Sequence, residues 1–290
     1  MERRGLKTVL ILILILLNIF LLSYLLWQYR MERLFQQKTR EEITALFALD
    51  GVALSPDVFR YDAPPEKISL APDEVSQREA AVLFLGETDL TEQGNGRYRS
   101  GAAAAEFFPN GEFTVTGLSG SAEILFQNFC RACSYEQTGV PDLSGQALIA
   151  AARYEGIPVF NCRVTFSSAP DGTLREVSGV LLSRSVSPAR TETFSSRAEA
   201  FPLQTDAPNA AESGNGDQDA PPLNAFGALS VFQNARRKNR LSASSVFRLS
   251  PCYALERLDG GEMELIPAWK VETDVLNYYI NALTGALTAG

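Results

Sequence analysis

Residues Val9 to Trp27 read VLILILILLNIFLLSYLLW, an apolar run without a single charge. As a helix at about 1.5 Å per residue this run covers roughly 28 Å, the thickness of a bilayer's hydrocarbon core. Alternating Leu and Ile have strand character, but no ordinary soluble strand is this long and uninterrupted. A cleaved signal peptide needs a shorter apolar run followed by small residues. Here Trp27, Gln28, Tyr29 and Arg30 follow instead. The stretch reads as an uncleaved transmembrane helix over 9–27, with Tyr24, Trp27 and Tyr29 as interfacial aromatics and a short tail over 1–8. Basic residues flank both ends, Arg3, Arg4 and Lys7 before it and Arg30 and Arg33 after it, so charge counting leaves the orientation open.

Asn18 is the strongly polar side chain near the middle of the run. Its amide can hydrogen-bond a partner helix, and with Phe20 and Ser23 it forms the candidate helix contact; the alternative is an inserted Asn without a partner. Beyond the span, Met31, Leu34, Phe35, Ile43, Leu46 and Phe47 recur mostly at three or four residues until Asp50-Gly51 stops the pattern. That predicts a stalk helix over 28–50, either with a plain solvated face or in amphipathic contact with another stalk.

The 290-residue chain is 46% apolar and 21% charged, the composition of a folded protein. A net charge of −8 argues against a nucleic-acid partner, and the absence of histidine excludes Ser-His-Asp and Cys-His catalysis and His-ligated metals. The prolines of 51–72 punctuate an irregular stretch, and a helix is expected over Glu74–Leu85. Strands at Ala103–Phe108 and Glu112–Thr116 flank Pro109-Asn110-Gly111, a hairpin signal; this first α+β unit, 51–117, is the least distinct. A second unit, 118–186, holds a helix at Ser121–Tyr135 and strands at Ala147–Arg153, Val159–Ser167 and Leu174–Leu182, the last pair turned by Asp171-Gly172. Residues 187–222, rich in Pro, Gly, Asn and acids, read as a flexible acidic linker. The third unit, 223–290, holds a helix at Leu223–Arg237 and strands at Ser245–Leu258, Met263–Glu272 and Asn277–Ala282, with Asp259-Gly260-Gly261 as the first hairpin turn. Ile157-Pro158 and Ile266-Pro267 echo one another inside the two later units. The fold class expected is α+β: a transmembrane helix followed by repeated units of one helix and an antiparallel three-strand sheet.

Little chemistry is visible. Cys130-Arg131-Ala132-Cys133 has the spacing of redox dithiols and zinc knuckles, yet it lies inside an apolar helix; packing or an incidental disulfide, redox chemistry and a metal all remain open. Carboxylates show no singular spacing, no Ser-x-x-Lys stands out, and Gln93-Gly94-Asn95-Gly96 reads as a turn rather than a phosphate loop. No catalytic, cofactor-binding or metal-ligating residue is assigned, and the chain is expected not to be an enzyme.

Lys7-Thr8 with the apolar run and Leu17-Asn18-Ile19-Phe20-Leu21-Leu22 resembles the opening of the YycI family, membrane-anchored regulators of the YycG (WalK) sensor histidine kinase in Gram-positive Firmicutes, related in architecture to YycH. Ala268-Trp269-Lys270-Val271 and Tyr278-Tyr279-Ile280-Asn281-Ala282-Leu283-Thr284-Gly285 look like that family's closing strands, a pattern shared with PepSY-type modules. The resemblance implies a cytoplasmic tail, a single-pass anchor in the cell membrane and an extracytoplasmic domain in which Trp269, Tyr278, Tyr279, Asn281 and Gly285 form a structural motif. It implies a sensor histidine kinase and a YycH-like membrane protein as partners in a two-component system. The acidic linker, the CxxC and the region before residue 117 have no counterpart in the family pattern. Two other readings stand beside it: a PepSY-like module that inhibits or chaperones a secreted peptidase, and a structural cell-envelope protein.

Overall fold

The computed structural model describes residues 2–71, 74–138, 147–183, 221–238, 241–258 and 262–290. Apolar run and stalk form one continuous helix, α1 (Glu2–Leu49). It is roughly 72 Å long at about 1.5 Å per residue. It ends where the sequence pattern stops: Gly51 takes φ +72°, and the amides of Asp50, Gly51 and Val52 turn back onto the carbonyls of Phe47 and Ala48. Glycine enters this left-handed conformation without the steric penalty of a Cβ.

Beyond α1 come β1 (Ala53–Leu54), a 3-10 turn at Pro56–Phe59, β2 (Ile68–Leu70) and α2 (Glu74–Leu85). Strands β3 (Thr91–Gly94), β4 (Arg97–Ser100), β5 (Ala103–Phe107) and β6 (Glu112–Thr116) follow as an antiparallel meander. Helix α3 (Ala122–Cys133) leads into β7 (Tyr135–Gln137), β8 (Ala147–Tyr154), β9 (Ile157–Ser168) and β10 (Leu174–Val180), each antiparallel to the one before. Helix α4 (Ala225–Arg237) leads likewise into β11 (Ser245–Arg257), β12 (Met263–Thr273), β13 (Asn277–Asn281) and β14 (Leu287–Ala289). The fold is mixed α+β, an apolar N-terminal helix beside a large and mainly antiparallel sheet. The expected three strands after each helix are corrected to four. After the helices, the strands not expected are β3 and β4 in the first unit, β7 in the second and β14 in the third; β3, β7 and β14 are short and lie at sheet edges.

β10 pairs with β6 and so fuses the first two meanders. The third joins through a parallel contact of β9 and β11 at Val159 and Tyr253. There a side chain continues the ladder: Asn161 Nδ2 donates to the Leu255 carbonyl at 2.7 Å, and the Leu255 amide donates to Asn161 Oδ1 at 2.6 Å. A carboxamide offers the same donor and acceptor as a peptide unit, so it stands in for one more strand residue. Asn161→Ala is expected to destabilise the chain by about 1–3 kcal/mol, because both Leu255 backbone groups lose their partner. A denaturation midpoint equal to that of the parent would show that solvent replaces the carboxamide at no cost.

Helices α2 and α3 cover one face of the first two meanders. Ala122, Phe126 and Phe129 recur on one side of α3 and are buried. The Phe129 ring lies 5.4 Å from Phe84, 5.6 Å from Phe166 and 4.9 Å from Tyr135, centroid to centroid. A second core joins α4 to β11–β13 and to the end of α1, through Leu229, Phe232, Trp269, Val271, Ile280 and Phe47.

Two helix limits differ from expectation. Ser134 adopts a left-handed conformation, so α3 stops at Cys133 and Tyr135 opens β7 instead of closing the helix. Asn224 caps α4, its Oδ1 accepting from the Gly227 amide at 2.9 Å, which moves the start from Leu223 to Ala225. Residues 184–220, nearly all of the acidic linker, and the Asp259-Gly260-Gly261 turn lie outside the described residues.

Candidate functional site

Among the described residues, α1 is the helix long and apolar enough to cross a membrane. Its side chains from Ile13 to Phe35 are exposed, apart from the undescribed residue 32. Asn18 donates through Nδ2 to the Leu14 carbonyl one turn back, at 2.8 Å, which uses one of its two amide N–H groups inside the helix. With about 100° per residue, Phe20 and Ser23 point roughly 160° and 140° away from Asn18. The three candidate contact residues therefore lie on two faces of α1. Tyr29 carries the Arg33 guanidinium over its ring at 4.4 Å, and Tyr24 and Trp27 form a separate aromatic pair.

At its other end α1 is clamped to the fold. The Phe47 ring is fully buried and stacks on Phe232 of α4, with centroids 6.5 Å apart. Asp50, the residue after the helix, gathers three side chains of α4. Its Oδ2 accepts from Gln233 Nε2 and from Arg237 Nε, the latter at 2.7 Å, and its carbonyl accepts from Arg236 Nη1 at 3.0 Å. Arg236 also donates to the Ala243 carbonyl at 2.8 Å, which ties α4 to the approach of β11. Arg40, two to three turns earlier, reaches Asp62 at 3.5 Å and lies over Phe59. This joint was not legible in the sequence, because Asp50 and its partners are separated by more than half of the chain.

The Arg237 hydrogen bond holds the Asp50 carboxyl below its ordinary range; partial burial opposes it, and the charges of Arg237 and Arg236 and the Gln233 bond add to it. A folded value below the unfolded one, about 3.9, contributes stability that is complete above that pH and lost as pH falls through the folded value. Asp50→Asn is therefore expected to flatten the loss of stability below about pH 4. An acid-unfolding profile identical to the parent's would remove Asp50 from that role.

The five C-terminal motif residues lie at separate places in the last meander. Trp269 is fully buried and donates Nε1 to the Leu223 carbonyl at 2.8 Å. Tyr278 packs edge-on to Phe232 at 5.5 Å, and Tyr279 stacks on Phe160 at 4.0 Å on the opposite side of the sheet. Asn281 Oδ1 accepts from the amides of Leu283 and Thr284 at 2.8 and 3.1 Å, and Gly285, at φ +69°, closes the turn into β14. The five residues thus divide between the α4 core, the far face and one turn, and do not converge on a cavity.

No protein-family model and no curated protein matches the chain, so the YycI resemblance stands on its quoted residues alone. Solved structures give distant likenesses. An uncharacterized protein from Eubacterium rectale ATCC 33656 is 9% identical, with a TM-score of 0.34 over 82% of this chain and 89% of that one. The YpeB C-terminal domain of Bacillus megaterium is 14% identical, with a TM-score of 0.29 over 75% of this chain and 97% of that one. Likeness at this level fixes neither family nor function.

No disulfide joins Cys130, Cys133, Cys162 or Cys252. Cys130 and Cys133 end α3, where the helix dipole disfavours a thiolate, and burial pushes Cys130 up to about 11. Both effects weaken it as a nucleophile. Cys162, at about 11, and Cys252, at about 12, are raised by burial as well. Among the described residues no group of three or more His, Cys, Asp or Glu is placed to hold a metal ion. A cavity of about 60 Å³ lies between α2 and α3 beside Ser76, Glu79, Leu83 and Cys133. That has room for a water or two, far below the ~300 Å³ of a small-molecule site.

Proposed function

We propose that this chain is a non-enzymatic, single-pass membrane regulator whose folded part lies outside the cytoplasm and whose membrane helix acts on a sensor histidine kinase of a two-component system. A YycH-like membrane protein is its second proposed partner. The observation that carries this reading is the continuity of α1, one helix from the apolar run to the Phe47 and Asp50 clamp. A helix without a break passes rotation or displacement of the folded part into the membrane, whereas a tether only needs a flexible link. The folded part is read as three copies of one module, each a helix packed on an antiparallel meander, with PepSY-like character in the last.

Exchanging residues 9–27 for an unrelated apolar helix is expected to abolish the effect on kinase output, while residues 1–40 alone retain part of it. Asn18→Leu keeps insertion favourable and is expected to weaken helix association about 3- to 30-fold. Reporter fusions at the C-terminus are expected to be active only as exported enzymes. Unchanged kinase output after the exchange, at equal protein level, would leave a tethered binding module.

A further inference from the structure

Between residues 31 and 50, the positions withdrawn from solvent are 36, 39, 40, 43, 46, 47 and 50, a spacing that sets the folded part against one side of α1. The other side carries Leu17, Phe20, Tyr24, Trp27, Met31 and Leu34, all between 50% and 65% exposed. Trp27 and Met31 point about 160° away from Phe47. Their 3-4-3-4-3 spacing is that of a left-handed two-helix seam, and it does not stop at the membrane surface. Leu34, flanked by an exposed Phe35, lies about 10 Å beyond Trp27 along the helix, where lipid no longer covers it.

We propose that this stripe is a dimer seam and that its occupant is the α1 of a second copy of this chain, in parallel. It rests on α1 spanning the membrane and not on the kinase as partner. Copies inserted by one route share one orientation, so only the parallel pairing is open to them. In that pairing the residue on one flank meets the residue five positions on in the other copy. Ser23 then meets Gln28, Arg30 meets Phe35 and Gln37 meets Glu42, with no like charges opposed. Lys38, next in the seam, would face its own copy and closes the seam after Leu34. Each folded part docks on the side of its helix away from the stripe, which leaves the stripe uncovered. Asn18 lies outside the seam, which leaves its face open to a different helix.

The test is oxidative cross-linking of the full chain in its membrane with Met31→Cys, Leu34→Cys and Gln36→Cys, the parent chain serving as control for its own thiols. The Met31 and Leu34 variants are expected to give an adduct of twice the chain mass, and Gln36→Cys none. An equal adduct at all three positions, no adduct at all, or an adduct of another mass overturns the proposal. As a second measurement, Leu34→Asp is expected to reduce the dimer counted by single-molecule photobleaching at least about tenfold, with the unfolding midpoint of the folded part unchanged. An unchanged dimer fraction overturns it equally. Loss of kinase response with the Leu34 adduct intact counts against the regulatory reading alone.

Discussion

Trp269→Ala is expected to destabilise the chain by about 3–5 kcal/mol, a large share of the stability of any single domain. Trp269 stands mid-strand in β12, opposite Pro251 of β11 and Ile280 of β13, with no exposed surface. Truncation opens a cavity between α4 and the sheet that backbone shifts fill only in part. It also orphans the Leu223 carbonyl, whose own amide donates to the Ala282 carbonyl at 2.7 Å, so the entry to α4 loses one of its two anchors on the sheet. Trp269→Phe separates the contributions. It keeps most of the apolar volume and removes the donor, for an expected loss of about 1–3 kcal/mol. Guanidinium denaturation of the full chain in detergent measures both. A loss under about 1 kcal/mol for the alanine variant would mean that the α4 core closes over the gap, against the packing argued here.

What the sequence made legible follows from local chemistry. Asn110 accepts from the Glu112 amide and Gly111 takes φ +78°, so the hairpin at 109–111 turns where its residues predict. Asp171 does the same work before Thr173, through both the backbone amide and the hydroxyl. Long apolar strands such as β9 and β12 stand out because they are buried on one face or both. The missed strands have no such signal. β4 is Arg-Tyr-Arg-Ser, and what orders it is pairing with β5, where Arg97 meets Glu106 through two nitrogens at 2.8 and 2.6 Å. β1 and β2 are two and three residues long and exist only because β11 and β12 offer them an edge. β7 begins after a left-handed serine rather than a glycine, so the end of α3 carried no mark. The candidate contact on α1 is half legible: the helical period alone sets Asn18 on a different face from Phe20 and Ser23, and what the sequence does not carry is which face of the stalk the folded part docks against.

Phe47→Ala is expected to uncouple α1 from the rest of the fold. The ring is fully buried, stacked on Phe232 in the core that also holds Val52 and Leu229, and its loss costs about 3–5 kcal/mol where the end of α1 is held. The polar half of the joint cannot compensate. The Asp50 pair with Arg237 is partly exposed, and such a pair contributes little once the packing beneath it is gone. Core residues far from the joint, around Phe129, do not touch this site, so α2, α3 and their meanders are expected to keep their protection against hydrogen exchange while the amides of residues 43–55 lose theirs. The chain would still insert and still carry its folded part. Under the proposed function, a rod-like α1 makes kinase output fall to that of the span-exchanged chain, whereas a tether leaves output unchanged. Phe47→Leu, which refills most of the volume, is expected to restore both protection and output. A Phe47→Ala chain with lost protection at the joint and undiminished output would refute the rod, whatever the fate of the dimer seam on the other side of the helix.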